Sequence, residues 1–181
     1  MSNRASLRQG PLTEVPLAPG ETDARLLRNA LGRYATGVTV ITAVADGVRA
    51  ALTANSFSTV SLDPPLVLWS LKQQSPSMAT FRAADHFAVS VLDARQHELS
   101  LRFARPHPDK FAGVPITEGL GGCPLLDGAL AHFECGVAHS LDGGDHRIFI
   151  GRVLRAAYRD GDPLVFAAGR FGRVTALDDS A

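Results

Sequence analysis

The sequence predicts a mainly β protein, a closed or nearly closed barrel of antiparallel strands that carries short helices. Two features predict it. Roughly seven β-rich segments are separated by turn residues, which is the pattern of sequential antiparallel strands. About three short helical segments interrupt them without alternating regularly with the strands. This pattern disfavours a doubly wound parallel sheet and favours a barrel, which leaves no open sheet edge.

Length and composition are those of one ordinary globular domain. The chain has 181 residues, of which 45% are hydrophobic and 20% are charged, and such a chain can bury a core without disulfides or metals. Eighteen Lys and Arg residues balance eighteen Asp and Glu residues, so no net field favours nucleic acid or an anionic membrane. We expect a flexible tail at residues 1–21 and one domain at residues 22–176.

The cellular location is predicted from the membrane and signal segments that the sequence lacks. No apolar run reaches the roughly 18 residues of a membrane span, and the first 21 residues contain no apolar core of a secretory signal. Cys123 and Cys135 form no metal-binding pair and are expected to be reduced, partly buried thiols. We therefore expect a cytoplasmic protein that binds neither membrane nor nucleic acid.

The first predicted elements are a helix and a β-hairpin. Thr22 is a good N-cap residue and acidic Asp23 follows it, so the helix is predicted to begin there. Its apolar face continues at helical spacing to Tyr34, and Gly37 is expected to end it. Two β-rich runs then flank the Asp-Gly pair at residues 46–47, a dipeptide strongly preferred in tight hairpin turns.

A short apolar strand and a second helix come next. Residues 66–71 are predicted to form a strand buried on both faces, which starts after the two prolines at 64–65 because proline cannot donate to a sheet. Ser75 is predicted to be the N-cap of a short helix whose first position is Pro76.

The second half of the chain contains mainly strands around one long loop. Residues 86–92 alternate as a strand, and Asp93 is expected to cap a third helix. Residues 104–127 are rich in Pro and Gly without a clear period, so they are predicted to form a long loop. Turn residues separate three further β-rich runs, which favours antiparallel pairing; the runs are residues 129–141, 145–159 and 163–169.

One segment carries an unusual density of small polar side chains. Between residues 53 and 61 the chain places six Thr, Asn and Ser residues directly before the apolar strand. Side chains this short leave space beside a buried wall and supply hydrogen-bonding groups, as a flat ligand with a polar edge requires. Periodicity alone favours a plainer interpretation, a Ser- and Thr-rich edge strand that ends in an Asp-Pro-Pro turn.

Several familiar motifs are absent from the sequence. There is no Walker loop and no nucleophile elbow, and G-L-G-G at residues 119–122 lacks the flanking strand and helix of a dinucleotide fingerprint. His132 and Cys135 would point to opposite faces of a regular strand, so we expect no metal site there. On local sequence alone, Asp145 and His146 fit a solvent-exposed turn.

Three segments together resemble one family: RNALGRYATGVTVITA (residues 28–43), LTANSFSTVSLDPPLVLWSL (52–71) and GDHRIFIGRVLRA (144–156). On these segments the chain resembles the flavin reductase-like family. Its fold is the FMN-binding split barrel, antiparallel with Greek-key-like connections, and its members include the reductase components of two-component flavin-dependent monooxygenases. The resemblance extends from residue 24 to residue 174.

The resemblance implies an enzyme that transfers hydride from NADH, or NADPH, to FMN or FAD and supplies the reduced flavin to a partner monooxygenase. It also implies a homodimer whose flavin lies near the subunit interface. No basic clamp for the extra phosphate of NADPH can be placed, so NADH is favoured. The alternatives are a split-barrel carrier or sensor of flavin or haem, and a flavin-dependent oxidase of a pyridoxal-type substrate.

The resemblance further implies the ligand contacts. Ser75 and Ser77 would hold the flavin phosphate, in agreement with the free N–H groups at a helix N-terminus. No catalytic side chain is required, because the two cofactors exchange hydride directly. The implied flavin-binding residues are Ala35, Thr36, Gly37, Val38, Thr53, Ala54, Asn55, Ser56, Phe57, Ser58, Ser75 and Ser77, and the implied nicotinamide contacts are His146, Phe166 and Gly169.

One departure from the family pattern concerns the phosphate segment. Many relatives carry a basic residue there, whereas this chain has Gln73, Gln74 and Ser75, with Lys72 before them. The sequence therefore leaves the choice between FMN and FAD open.

Overall fold

The computed structural model describes residues 11–17, 23–107 and 109–176, and the fold is mainly β as predicted. The described residues form three α-helices: α1 (Ala24–Leu31), α2 (Met78–Ala83) and α3 (His97–Ala104). They also form the strands β1 (Thr36–Gly37), β2 (Thr39–Ala45), β3 (Val48–Ala54), β4 (Ser58–Leu62), β5 (Pro65–Lys72), β6 (His86–Val91), β7 (Ile116–Glu118), β8 (Pro124–Leu126), β9 (Ala131–Gly143), β10 (His146–Tyr158), β11 (Val165–Ala167) and β12 (Arg170–Gly172).

Seven strands form the main sheet, in the antiparallel order β3-β2-β6-β9-β10-β5-β4. The remaining strands are two or three residues long and form small sheets of order β1-β11-β12 and β7-β8. The predicted turn at residues 46–47 is confirmed, since both residues have the positive φ angles, 50° and 74°, of a tight hairpin.

The main sheet closes into a split barrel where its two edges meet. The edge strands β3 and β4 follow each other in the chain, so the link at residues 55–57 crosses from one edge to the other. The Ser56 hydroxyl donates to the Ser70 carbonyl (3.3 Å) and accepts from the Ser70 N–H (3.0 Å). At this point a side chain, and not a strand ladder, joins the link to β5.

Aromatic side chains fill the barrel. Trp69 is fully buried and stacks on Phe149 with ring centroids 4.7 Å apart, while Phe81 meets its edge at 4.8 Å. A second apolar cluster includes Val40 of β2, whereas its neighbour Ile41 packs in the aromatic cluster. β2 is therefore buried on both faces.

The burial predicted for residues 66–71 is wrong. These residues alternate between buried and partly exposed, and only one face of β5 enters the core. The strand also begins earlier than expected, because Pro65 starts β5 opposite Leu62. A proline fits there because the first residue of a strand need not donate to the ladder.

The first helix ends earlier than predicted. Thr22 lies outside the described residues, and Asp23 is the N-cap of α1, accepting from the N–H groups of Arg25 (2.7 Å) and Leu26 (3.3 Å). The helix ends at Leu31 with Gly32 as its C-cap. The expected end at Gly37 is wrong because Gly37 pairs with β11 as part of β1.

The predicted cap of the second helix is also wrong. α2 begins at Met78 with Ser77 as its N-cap, and the side chain of Ser77 makes no capping hydrogen bond. Ser75 instead stabilises the preceding turn: its hydroxyl accepts from the Ser77 N–H (3.3 Å) and its carbonyl from the Met78 N–H (3.0 Å). These two N–H groups are thereby engaged within the chain.

The long loop predicted at residues 104–127 is partly structured, because β7 and β8 form a hairpin within it. Polar groups fix this hairpin to the barrel. The Thr42 hydroxyl donates to the Pro124 carbonyl (2.7 Å), and the buried Glu134 carboxylate accepts from the Leu120 N–H (2.6 Å). Turn residues alone could not reveal anchors that come from distant strands.

Candidate functional site

Two cavities flank the link at residues 55–57. The first has a volume of about 1600 Å³ and the second about 830 Å³, and Asn55 and Ser56 line both. The first cavity lies between the free edge of β3 and the end of β5, where the main sheet has no ladder to close it. Both cavities are thus a consequence of the split in the barrel.

The predicted site residues divide between the two cavities. The link belongs to both, which makes the cavities neighbours across it. The first is lined by Thr53, Ala54, Asn55, Ser56, Ser75, Ser77 and His146. The second is lined by Thr36, Gly37, Asn55, Ser56, Phe57, Ser58, Phe166 and Gly169.

Two predicted residues line neither cavity. Ala35 is exposed beside β1. Val38 is only 1% exposed, its N–H donates to the Leu164 carbonyl (3.1 Å) and its carbonyl accepts from the Leu92 N–H (3.0 Å). The N–H and carbonyl of Val38, which were predicted to approach a ligand, are therefore both hydrogen bonded within the protein.

Part of the polar segment holds the protein backbone. The Thr53 hydroxyl donates to the Ser100 carbonyl (2.6 Å), which ties β3 to α3, and the Ser56 hydroxyl is engaged with Ser70. Asn55 is exposed at the junction of the two cavities. A ligand here would meet the backbone of the link and the Asn55 amide before it met these two hydroxyls.

The Asp145–His146 pair lies at the entrance to β10, where His146 lines the first cavity. His146 Nδ1 and Asp145 Oδ1 are 2.7 Å apart, and the Asp145 carbonyl accepts from the Gln73 N–H (2.9 Å). The hydrogen bond from His146, with the nearby charges of His146 and Lys72, holds the pKa of Asp145 below its usual range. With Nδ1 engaged, Nε2 is the ring atom left for a ligand.

Positive charge is concentrated on both cavities, although the whole chain has no net charge. Around the first cavity, Asp109 is the single carboxylate in the described lining. Four cationic side chains accompany it: Arg49, Lys72, Arg105 and Lys110. The second cavity is lined by Arg28 and Arg33, and no carboxylate lies among its described residues.

Sequence reasoning missed three of the four cationic residues of the first cavity. Arg105 and Lys110 fall in the aperiodic segment after α3, and Arg49 is a single charge on an otherwise apolar strand. Only the tertiary fold brings these three residues together. No local spacing in the sequence could have signalled it.

The two cysteines are unsuited to chemistry. Both are free and buried, and burial raises the pKa of Cys123 to about 11 and that of Cys135 to about 12. A thiol with such a high pKa is a poor nucleophile and a poor metal ligand at neutral pH. Within the described ranges no group of three or more His, Cys, Asp or Glu side chains is placed to hold a metal ion.

Comparison with known proteins agrees with the geometry. Residues 31–175 match the family described as the flavin reductase like domain. The FMN reductase (NADH) SmoA of Agrobacterium fabrum is 50% identical over 160 residues, covering 88% of this chain and 91% of the relative. The reductase subunit HsaB of a flavin-dependent monooxygenase from Rhodococcus jostii is 41% identical over 150 residues, covering 82% and 77%.

Solved structures show the same fold. The NADH:FAD oxidoreductase SgcE6 of Streptomyces globisporus has a TM-score of 0.85 at 36% identity, covering 96% of this chain and 98% of that chain. Among the described residues no helix is long and apolar enough to cross a membrane. The predicted split-barrel fold and the predicted enzyme class, a nicotinamide-dependent flavin oxidoreductase, are confirmed by these comparisons. The chain therefore belongs to the flavin reductase-like family.

Proposed function

We propose that this protein is the reductase of a two-component system, which uses NADH to reduce FMN or FAD and passes the reduced flavin to a monooxygenase. One observation carries the proposal. The first cavity combines the link at residues 55–57, the turn at residues 75–77 and His146 in a single groove with a cationic lining. The relatives named above, an NADH-dependent FMN reductase and a monooxygenase reductase subunit, support the same function.

The residues of the groove fit a flavin. Backbone groups and the Asn55 amide offer hydrogen bonds to a polar ring edge, and Ala50, Leu52 and Ala54 supply an adjacent apolar wall. When bound, the flavin supplies the hydride-accepting chemistry, and the chain aligns and stabilises its ligands. N–H donors of residues 55–58 would favour the negative charge that develops on the ring.

We assign the phosphate to the turn at residues 75–77. Ser75 and Ser77 line the cavity, and their hydroxyl groups can donate to phosphate oxygens. The N–H groups of Ser77 and Met78 already have partners in the chain. The expected contribution of a free helix N-terminus is therefore replaced by hydroxyl donors and by Lys72 nearby.

His146 is assigned to the nicotinamide ligand. Its ring is oriented by Asp145, so Nε2 can donate to or accept from the carboxamide or a phosphate without acting as a general acid. Phe166 and Gly169 line the second cavity and would reach the ligands only across the link. Of the second-cavity residues, we propose that Thr36, Gly37, Phe57 and Ser58 border the flavin on that side.

We also propose a cytoplasmic homodimer. Large apolar side chains remain exposed on β4, β9 and β10 of the main sheet, which favours burial against a second copy; they are Val60, Leu62, Leu141 and Leu154. Two free thiols suit a reducing compartment. We further propose a single domain at residues 22–176, preceded by a tail at residues 1–21; the family match over residues 31–175 supports the domain. Light scattering after size-exclusion chromatography tests the dimer.

The function is tested by nicotinamide oxidation with each pairing of NADH or NADPH with FMN, FAD or no flavin. We expect oxidation of NADH that depends on added flavin. Tight flavin binding without oxidation in any pairing would overturn the reductase and leave a flavin carrier or sensor.

A further inference from the structure

Gln73 lies in the phosphate segment but not on a cavity. Its chain neighbours Lys72 and Gln74 both line the first cavity, whereas Gln73 is not among the described residues that line either cavity. The function proposed above gives this residue no role. Any effect of its side chain on a ligand has to pass through other residues of the protein.

The side-chain amide of Gln73 joins two elements of the fold. Its Nε2 donates to Oδ1 of Asp142 near the end of β9 (2.8 Å), and its Oε1 accepts from Nη2 of Arg82 in the last turn of α2 (3.0 Å). Oδ1 of Asp142 also accepts from Nη1 of Arg147 on β10 (2.8 Å). We call this chain of four side chains, Arg82, Gln73, Asp142 and Arg147, the polar bridge.

An amide suits the central position of the polar bridge. The hydrogen bond from Gln73, with the charge of Arg147, lowers the pKa of Asp142, so this carboxylate is ionised at neutral pH and accepts only. The amide donates to it with one atom and accepts from Arg82 with the other. A lysine or arginine at residue 73 could not make the second contact, because both side chains have donors only.

The polar bridge spans the turn that we assign to the flavin phosphate. The turn at residues 75–77 lies between Gln73 and α2 in the chain, so the hydrogen bond from Arg82 to Gln73 closes around it. The N–H groups of Ser75 (2.9 Å) and Met78 (3.0 Å) donate to carbonyls within the same short segment. Without the bridge, only such local bonds would hold the turn.

The same bridge reaches the hairpin that carries His146. Lys72 and His146 are partners in the ladder between β5 and β10, and the Gln73 N–H donates to the Asp145 carbonyl (2.9 Å) just beyond that pair. Arg147 follows His146, so its side chain leaves the opposite face of the strand, where it ends the polar bridge. Gln73 is thereby fixed to the phosphate turn and to the hairpin of the nicotinamide histidine.

We propose that Gln73 is a positioning residue, which sets the turn at residues 75–77 relative to His146 so that flavin and nicotinamide are aligned for hydride transfer. This inference rests on the proposed function, because alignment matters only if two ligands react in the groove. A misplacement of about 1 Å can cost about a hundredfold in rate. A side chain that fixes two binding elements can therefore affect the rate more than either affinity.

The first test measures amide hydrogen exchange of Ser75 and Met78 by NMR in the ligand-free protein. Gln73→Glu places a second carboxylate against Asp142 and should speed exchange at both amides by about three- to tenfold. The double variant Gln73→Glu/Asp142→Asn should restore the wild-type rates. Its amide at residue 142 can donate to the carboxylate at residue 73 and accept from Arg147, and its net charge equals that of the wild type.

Val38 is the control amide for this test. Its N–H is buried and donates to the Leu164 carbonyl (3.1 Å), far from the bridge in the chain. Because Gln73 and Asp142 lie at the surface, exchange at Val38 and the Tm should be the same in all variants.

The second test measures the first-order rate of FMN reduction at saturating NADH by stopped flow. Gln73→Glu should lower this rate by about three- to tenfold while the Kd of FMN changes by less than about twofold. The double variant should reduce FMN at the wild-type rate. This split between rate and affinity, with recovery in the double variant, is not expected of a residue that only stabilises the fold.

Three results would overturn the inference. One is a reduction rate of Gln73→Glu equal to that of the wild type, whatever the exchange rates. Another is a double variant that exchanges and reduces FMN no better than Gln73→Glu. The third is a loss of FMN affinity in proportion to the loss of rate, since Gln73 would then serve the flavin site alone.

The two proposals fail in different ways. Flavin-dependent NADH oxidation by the wild type without any effect of Gln73→Glu refutes the positioning role alone. The expected exchange pattern in a wild type that oxidises no NADH refutes the reductase and leaves the link between the turn and the hairpin in place.

Discussion

The hydroxyl group of Ser56 is hydrogen bonded to both backbone polar groups of Ser70, at 3.0 Å from the N–H and 3.3 Å from the carbonyl. One serine thus takes the place of a strand partner at the split of the barrel. The backbone of the link stands between two cavities as a result. Ser56, which the sequence predicts to contact the ligand, therefore also joins the link at residues 55–57 to β5.

Replacing Ser56 by Ala should therefore affect both stability and binding. The change leaves the partly buried N–H and carbonyl of Ser70 without partners, which should lower the free energy of unfolding by about 1–3 kcal/mol. FMN affinity should fall as well, because the link loses its anchor. Urea unfolding and a fluorescence titration with FMN measure the two effects.

Ser58→Ala is the matched control for stability, since the Ser58 hydroxyl donates only to the adjacent Thr59 carbonyl (3.3 Å) on an exposed strand. If both variants unfold at the same urea concentration, Ser56 does not close the barrel.

Gly151 should not tolerate a side chain. A Cβ at this position would lie 2.6 Å from Cε1 of Phe87 and 2.9 Å from Cβ of Cys135, both inside the aromatic core. Gly151→Ala should lower the free energy of unfolding by about 1–3 kcal/mol through overpacking. Gly172→Ala is the control, because nothing lies within 4 Å of its Cβ position. Equal Tm values for the two variants would contradict the packing described here.

Asp93 makes stability depend on pH. This buried carboxylate accepts hydrogen bonds from the Arg95 side chain (2.8 Å) and the Arg95 N–H (2.9 Å), which hold its pKa far below the usual value of 3.8. Because the folded state depresses this pKa, the stabilisation that ionised Asp93 contributes is complete above about pH 5 and is lost as the pH falls below about 4. The loss reflects protonation of a group that the folded state keeps ionised.

Asp93→Asn should lower the free energy of unfolding at pH 7 by about 2–3 kcal/mol, because a buried charged acceptor is removed from its arginine. The difference from the wild type should narrow steadily as the pH falls to about 3. Urea unfolding at several pH values measures it, with the exposed Asp85→Asn as the control. A difference that stays constant with pH would show that Asp93 acts through packing alone.

The sequence was most informative where structure is decided locally. The hairpin at residues 46–47 follows from the left-handed backbone that Asp-Gly accepts, and it is correct. The end of α1 could not be predicted in this way, because Gly37 is taken by β11, more than a hundred residues later in the chain. The burial of Val38 could not be predicted locally either: the family motif implies that it contacts a ligand, but the fold places it in the core.

The candidate site shows the same division. The link at residues 55–57 and His146 could be predicted from a dense motif and an ordered resemblance, and both line the first cavity. The cationic lining of the first cavity could not be predicted, since Arg49 and Arg105 have no spacing in common. These charged residues belong to separate segments of the chain, and only the folded barrel places them on the same cavity.

His146 should contribute to nicotinamide binding more than to flavin binding. It lies beside the turn at residues 75–77 on the first cavity, with Nδ1 held by Asp145 at 2.7 Å. His146→Ala should raise the KM for NADH by about tenfold, as expected for loss of a hydrogen bond to a polar or charged ligand group. The KM for FMN should change little. Steady-state kinetics with each substrate varied in turn measures both constants.

Two further variants make this prediction specific. Asp145→Asn keeps a polar group beside Nδ1 but removes the charge, so its KM for NADH should lie between those of the wild type and His146→Ala. His139→Ala, an exposed change on β9 outside both cavities, should match the wild type. If His146→Ala raised the KM values for NADH and FMN equally, the histidine would be shaping the whole groove. Its assignment to the nicotinamide would then have to be abandoned.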